Sequence, residues 1–538
     1  MAGTVLENLS GRKLSILVAI LLILQVLCFM IGGFIAPSPA GHQGITATVC
    51  VDEEAGKNRE KWFTTDCGRK IDLASRDPIK NVLPDNLVFV FQLPLGMPKF
   101  DFSRWQQNLV GVLEFDLVHV PPFSLDPVVD LGLDVKLAYK NRGDVKWNDY
   151  AVSIEKRTMD CIAGYDQGNA LPDYMCSTVP LFELGALHHD YYLLNMRLPS
   201  GAGKNNIQAK IADVRLHVIY MNGGFTMICL GLKTFLFPCL LAVMFWFWRR
   251  VHILSRTPAL LEYMLITLAG SLLIFNTPIE YLSLYFEMPY MLLLSDIRQG
   301  IFYATLLSFW LIFAGEHMLI QDSGEKNTIK KYWKHLSAII IGCASLLIFD
   351  FCERGIQLKN PFYTIWTTPL GTNLALSFII LAGISASIYF IFLCYMIWKV
   401  FRNISIKRDT LPNMSSARRF HYEGIIYRFN FLMLATVICA AVTIVTFIYG
   451  QIYEGQHNWD DDMEHIEVSS AVFTGVYGMW NVYVCAMLML YAPSHKQWPT
   501  EPICREHGDE VEFSRLATDP CASEIASLTS FASKATID

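Results

Sequence analysis

The chain has 538 residues, of which 53% are hydrophobic and only 17% charged. Soluble domains carry about 25% charged residues, so this composition excludes an ordinary soluble globular protein. The formal net charge of −6 is spread along the chain. No basic tract interleaved with aromatics is present, which argues against nucleic acid as a partner.

The first apolar run is LSILVAILLILQVLCFMIGGFIA, residues 14–36, preceded by Arg12 and Lys13. It exceeds the core of about 7–15 residues of a cleaved signal peptide. It reads as a transmembrane signal anchor behind a cytosolic N-terminus, 1–13, with cleavage as the alternative.

Residues 37–225 are the one large segment without membrane-length apolar runs. Leu131, Leu133, Val135, Leu137 and Tyr139 alternate with Gly132, Asp134, Lys136 and Ala138, the pattern of a half-buried strand. Stretches 87–92, 110–118, 191–198 and 207–220 read the same way. No amphipathic helix separates them, which predicts an inserted antiparallel β-sandwich or small barrel. Trp62, Phe63 and Trp105 read as core or lid residues. Cys50, Cys67, Cys161 and Cys176 all fall in this segment, and an oxidising compartment would join them as two disulfides. Nearest-neighbour pairing is one of three possibilities.

Apolar runs near 227–248, 260–283, 292–318, 335–356, 373–399, 429–451 and 468–491 bring the expected spans to eight, seven of them in a membrane domain over 226–491. Arg249, Arg250, Arg256, Lys326, Lys330, Lys331, Lys334, Lys399, Arg402, Lys407, Arg408, Arg418, Arg419 and Arg428 all fall in loops on one side. The positive-inside rule makes that side cytosolic. Both termini are then cytosolic and 37–225 luminal or extracellular. Residues 492–538 form a polar tail of disordered composition.

Ionisable residues inside spans are expensive and mark polar cavities or ion pairs. Asp296 and Arg298 open the span 292–318, and Asp350, Glu353 and Arg354 close the span 335–356. Asp350 and Arg354 are at i and i+4, and Glu353 is free to seek Arg298. These five read either as a structural ion-pair cluster or as a polar collar at the mouth of a pocket. In 373–399, Ala382, Gly383, Ser385, Ala386 and Ser387 allow either close helix approach or room for a lipid chain. Tyr422-Glu423-Gly424-Ile425 has the Tyr-x-x-bulky form bound by clathrin adaptors, in the longest cytosolic loop. His188-His189-Asp190 reads as a loop or strand start. No phosphate loop, nucleophile elbow or metal-ligand spacing is present, so neither enzyme chemistry, cofactor nor metal is expected.

DIRQGIFYATLLSFWLIFAGEHM (296–318), CERGIQLKNPFYTIWTT (352–368), RRFHYEGIIYRF (418–429), FTGVYGMWNVYV (473–484) and YAPSHK (491–496) resemble the Wntless family, as do the N-terminal anchor and YYLLNMRLP (191–199). The resemblance covers nearly all of the chain to about residue 496. It implies a GOLD-like luminal β-sandwich on a seven-helix bundle similar to G-protein-coupled receptors. It implies binding of palmitoleoylated Wnt proteins and carriage from endoplasmic reticulum and Golgi to the cell surface. Recycling through endosomes by clathrin adaptor and retromer would follow, and Tyr422 and Ile425 match the family's endocytic signal. Helix faces combined with the resemblance place an acyl-chain slot at Phe302, Tyr303, Leu306, Phe309, Phe349, Phe378, Ala382 and Phe447, below the mouth residues Asp296 and Arg298, with membrane lipids around it. The alternative of a signalling receptor coupled to G proteins is opposed by Gly315-Glu316-His317 in place of Asp-Arg-Tyr. An intramembrane enzyme is opposed by the lack of paired catalytic residues.

Overall fold

The computed structural model describes residues 5–8, 10–53, 61–71, 84–96, 100–118, 126–163, 173–199, 211–253, 257–319, 332–410, 431–446 and 463–494. The period-two segments become an all-antiparallel β domain. Its strands are β1 (Ala40–Thr46), β2 (Thr48–Val51), β3 (Lys70–Ile71), β4 (Leu87–Leu93), β5 (Gln107–Val118), β6 (Val128–Lys140), β7 (Asn148–Ala163), β8 (Asp173–Cys176), β9 (Val179–Ala186), β10 (Tyr191–Arg197) and β11 (Ile211–Met221). One sheet holds β1, β11, β5, β9 and β8, and the other holds β7, β6, β10, β4, β2 and β3. The long β7 belongs to both: it pairs with β6 along most of its length and with β8 at Cys161–Ala163. The result is a half-barrel rather than two separate layers. Its core joins the alternating set Leu131, Leu133, Val135 and Leu137 to Leu113, Phe115, Leu216 and Val218 of the other sheet. Each such side chain contributes about 1.5–3 kcal/mol on burial.

Of the three pairings open to the four cysteines, the structure has Cys50–Cys67 and Cys161–Cys176. The second joins directly opposed positions of β7 and β8. The first ties down a segment whose Phe63 is buried against the outer face of the second sheet, with Trp62 beside it. Trp62 Nε1 donates to Asp149 at 2.8 Å.

The apolar runs become α1 (Gly11–Met30), α2 (Gly223–Ile253), α3 (Leu260–Asn276), α4 (Met291–Leu319), α5 (Trp333–Gln357), α6 (Pro369–Thr410), α7 (Phe431–Thr446) and α8 (Met463–Tyr491). All but α7 are long and apolar enough, among the described residues, to cross a membrane. Half or more of the apolar stretch is buried in α3, α4 and α8, against 11% in α5 and 17% in α6. So α3, α4 and α8 form the core of the bundle, and α5 with α6 form a peripheral pair whose greasy faces look outward. α1 lies on α8 at close range. A side chain at Gly478 would strike Cys28 at 2.5 Å, and Thr474 Oγ1 donates to the Cys28 carbonyl at 3.0 Å.

α2, α5 and α8 fix the two ends of the bundle. The β domain sits on the end where α2 begins and α5 finishes. At the far end, a single turn at Val5–Asn8 folds under the helices. Val5 N–H donates to the Ala492 carbonyl at 2.8 Å, and Leu6 is buried in the cluster that includes Phe247, Val251 and Tyr491.

Candidate functional site

The two parts are locked together by the α5–α6 connection. Phe362 from this loop is fully buried in the core of the β domain and meets Phe182 edge-on at 6.3 Å. Glu183 N–H donates to the Pro361 carbonyl at 2.9 Å. Arg157 donates to the Phe362 and Pro180 carbonyls, and Asn360 Nδ2 donates to Ser153 and Glu155 at 3.2 Å. The loop thus fills the seam between β7 and β9. A second tie runs through His188, whose Nε2 accepts Met288 N–H at 3.0 Å in the turn before α4. Accepting that bond requires a neutral imidazole on Nε2, and burial lowers the His188 pKa from its ordinary 6.5.

Between these ties lies a cleft of about 440 Å³. Gly185 and Ala186 of β9 form one wall, Leu292 and Leu293 at the start of α4 another, and Arg354, Gln357 and Leu358 at the end of α5 the third. Gly185 matters sterically: a Cβ there would stand 3.1 Å from Leu292 Cβ and 3.2 Å from the Pro289 carbonyl. At the rim, Arg354 reaches Glu183 at 2.5 Å and Asp296 at 3.3 Å. Asp350 lies one turn back along α5 from Arg354, and Glu353 accepts from Thr364 Oγ1 at 3.5 Å. Four of the five expected mouth residues therefore gather around one guanidinium at the cleft.

Arg298 is the exception and corrects the expected pairing with Glu353. It turns into the bundle, 2% exposed, where it meets Glu280 at 2.6 Å and donates to the Thr277 carbonyl at 2.7 Å. Lys233 of α2 reaches the same Glu280 oxygen at 2.6 Å. A guanidinium inside an apolar bundle requires a desolvated counter-charge, and the turn after α3 supplies one where α5 does not. The neighbouring amides continue the polar core. Asn276 Nδ2 donates to Asn481 Oδ1 at 2.6 Å, and Asn276 Oδ1 accepts from the Tyr477 hydroxyl at 2.7 Å.

The expected slot residues divide into two groups. Phe302, Leu306 and Phe309 are buried in the central core. Phe302 stacks on Phe275 at 5.8 Å and packs on Trp480 at 5.4 Å. Tyr303 lies at the edge of this cluster, 5.4 Å from Trp480. Phe349, Phe378 and Ala382 are half-buried on α5 and α6 and do not join it. Both helices approach closely just beyond, where Ser385 donates to the Ala338 carbonyl and a Cβ at Gly342 would stand 3.1 Å from Ser385 Oγ. At that level the small residues serve packing. Phe447, Tyr422 and Ile425 lie outside the described residues, as does the tail from 495.

Sequence reasoning missed Lys233, Glu280 and Glu183. A lysine and a glutamate in or beside consecutive apolar runs were signal enough for the first two. Glu183 sits in a strand with nothing to distinguish it until the fold brings it to α5.

Comparison with known proteins bears on the whole chain. The family described as "Wntless, GOLD domain" matches residues 48–221, and "Wntless-like, transmembrane domain" matches residues 222–495. "Protein wntless" of Drosophila ananassae is 55% identical over 570 residues, covering 100% of both chains. The protein of the same name from Drosophila mojavensis is 55% identical over 567 residues, and that from Drosophila virilis 54% over 567, again with full coverage of both chains.

Proposed function

Because this chain belongs to the Wntless family, we propose that it is a non-enzymatic cargo receptor for palmitoleoylated Wnt proteins. It serves Wnt secretion as a multi-pass membrane protein; a receptor signalling through G proteins is not favoured. In this reading the β domain is luminal and both termini are cytosolic. The protein carries acylated Wnt from endoplasmic reticulum and Golgi to the cell surface. It returns through endosomes by way of a clathrin adaptor at Tyr422 and Ile425, and of retromer.

The cleft between β9, α4 and α5 carries the proposal for the site. A palmitoleoyl chain has roughly fourteen carbons beyond the carboxyl end, and at about 0.8 kcal/mol per buried CH₂ its release into water costs on the order of 11 kcal/mol. A carrier needs an apolar path that starts at the lumen. Leu292, Leu293 and Leu358 offer the apolar entrance, and Arg354 with Asp296 and Glu183 the polar rim. From there the chain would run along the outer side of α4, against Tyr303, Phe349, Phe378 and Ala382, with Phe302, Leu306 and Phe309 as the packed wall behind.

Co-purification tests this. The full chain should retain a lipidated Wnt and lose most of it when the acylated Ser of the Wnt is replaced. Leu358→Trp, at the exposed edge of the cleft, narrows the entrance and should have the same effect on the acylated form. Equal retention of acylated and unacylated Wnt by the wild-type chain would overturn the proposal. Hydrolysis of the acyl ester by the purified protein would overturn its non-enzymatic part.

A further inference from the structure

We propose that the outer face of the second sheet, beside the Cys50–Cys67 bridge, binds a sulfated polysaccharide. The apolar cluster on that face includes Phe63, Trp62 and Trp147, and a lysine ammonium stands over each of the three rings. Lys61 Nζ lies 5.2 Å from the centre of the Phe63 ring, Lys136 Nζ 5.4 Å from that of Trp62, and Lys140 Nζ 5.9 Å from that of Trp147. Lys146 is exposed and precedes Trp147 in the turn between β6 and β7. These lysines form no basic run in the sequence. The pairing of β6 with β7 and the closing of the bridge bring them to one face. None of them lines the cleft under the β domain.

Two observations set the chemistry of the occupant. The first is uncompensated charge. Among the described residues, none of Lys61, Lys140 and Lys146 pairs with a carboxylate. Asp149 accepts from Trp62 Nε1 at 2.8 Å, and Asp52 is held by Arg197, so the acids nearby leave a positive excess. An ammonium over a ring gains about 0.5–1 kcal/mol at an exposed site and keeps its full charge. The second is spacing. Lys136 and Lys140 share the outward side of β6, with Ala138 of the outer cluster between them. They stand about 13 Å apart at roughly 3.3 Å per residue. Strand and rings hold lysine stems that elsewhere sweep many rotamers, which cuts the entropy lost on binding. Cations set at intervals suit a linear polymer with repeated strong-acid groups better than one small anion. Its sugar rings add C–H faces that pack on indoles. Anionic lipid is concentrated on the cytoplasmic leaflet, whereas the β domain is luminal in the function proposed above, and the choice of source rests on that reading. A sulfated glycan is the polyanion of the luminal and outer side, and lysine-rich patches bind such chains.

The test measures binding of heparin to the full chain in phosphatidylcholine nanodiscs over a range of salt concentrations. The wild type should bind, and desulfated heparin should bind far more weakly. The triple variant Lys61→Ser/Lys140→Ser/Lys146→Ser should weaken binding about tenfold, the scale of three exposed ionic contacts. It should also flatten the fall of affinity with salt. Lys61→Arg/Lys140→Arg/Lys146→Arg keeps the charge and should bind as the wild type does. Retention of an acylated Wnt by the serine variant should be unchanged, which separates a lost glycan contact from a lost fold. If the serine variant fails to fold, the arginine variant and desulfated heparin decide. Wild-type affinity in the serine variant, equal binding of desulfated heparin, or equal binding of polyglutamate or of phosphatidylserine vesicles would each overturn the proposal. Purified protein exposes both of its sides, so such a failure leaves the luminal placement of the β domain untouched.

Discussion

Glu280 Oε1 stands 2.6 Å from both Arg298 Nη2 and Lys233 Nζ, with side-chain exposures of 9%, 3% and 15%. One carboxylate oxygen thus pins α2, the turn after α3, and α4 together. Removing it leaves two cations facing each other in a low-dielectric interior. Glu280→Ala should therefore destabilise the bundle by about 3–5 kcal/mol, read as a lowered melting midpoint in detergent. A wild-type midpoint would mean the pair does not hold the helices.

The Phe362 side chain belongs to the membrane domain's loop but packs inside the β domain. Phe362→Ala should cost about 3–5 kcal/mol and should loosen the seam between β7 and β9. Proteolysis or hydrogen exchange at β9 would show it. Protection of Glu183 N–H unchanged from wild type would count against the loop as a structural strut.

Cys161 and Cys176 are separated by 15 residues. Closing a loop of this size contributes about 3 kcal/mol by restricting the unfolded chain. The double variant Cys161→Ser/Cys176→Ser should lose that much, and peptide mapping of the wild type without reductant should recover the two peptides linked. Free thiol at either position in folded protein would refute the bridge.

The His188 imidazole has a pKa lowered below 6.5 by burial, so the unfolded chain takes up this proton first as pH falls. Its contribution to stability is complete above the unfolded pKa and declines as pH drops through about 6.5 towards the lower folded value. The tie to Met288 should weaken over that range, because a doubly protonated ring cannot accept the N–H. The protection of the Met288 N–H, its exchange rate relative to the free amide at the same pH, should fall as acidification reaches the lowered folded pKa of His188. In His188→Phe that protection should be low at every pH.

Period two along Leu131–Tyr139 and the long apolar runs made the two-part architecture readable in advance, because burial on one face or all faces leaves a direct mark on composition. Asp296, Asp350, Glu353 and Arg354 stood out for the same reason: charge inside an apolar run is rare. What the sequence did not reveal were partnerships across the fold. Arg298 shows no preference for Glu280 over Glu353 until the turn at 277–280 is seen to bring the former closer. Glu183 and Phe362 lie far apart in the chain, and only the docking of loop against strand makes them neighbours. The slot residues were assigned by helix face, but a face on α4 cannot say whether α8 or α6 covers it. Trp480 covers Phe302.

Tyr422→Ala removes the aromatic anchor of the proposed adaptor signal and leaves every described residue of the bundle unchanged. Surface protein should rise and Golgi protein fall. Antibody uptake at the wild-type rate would show that the signal is unused.

Leu6 is buried in the same apolar cluster as Phe247, Val251 and Tyr491, and Val5 N–H is tied to the Ala492 carbonyl. The first described turn of the chain and the last described residues of the bundle therefore hold each other in place. A bulky fusion placed just ahead of Val5 would pull on that clasp, so a tag there would disturb the packing of a distant helix end.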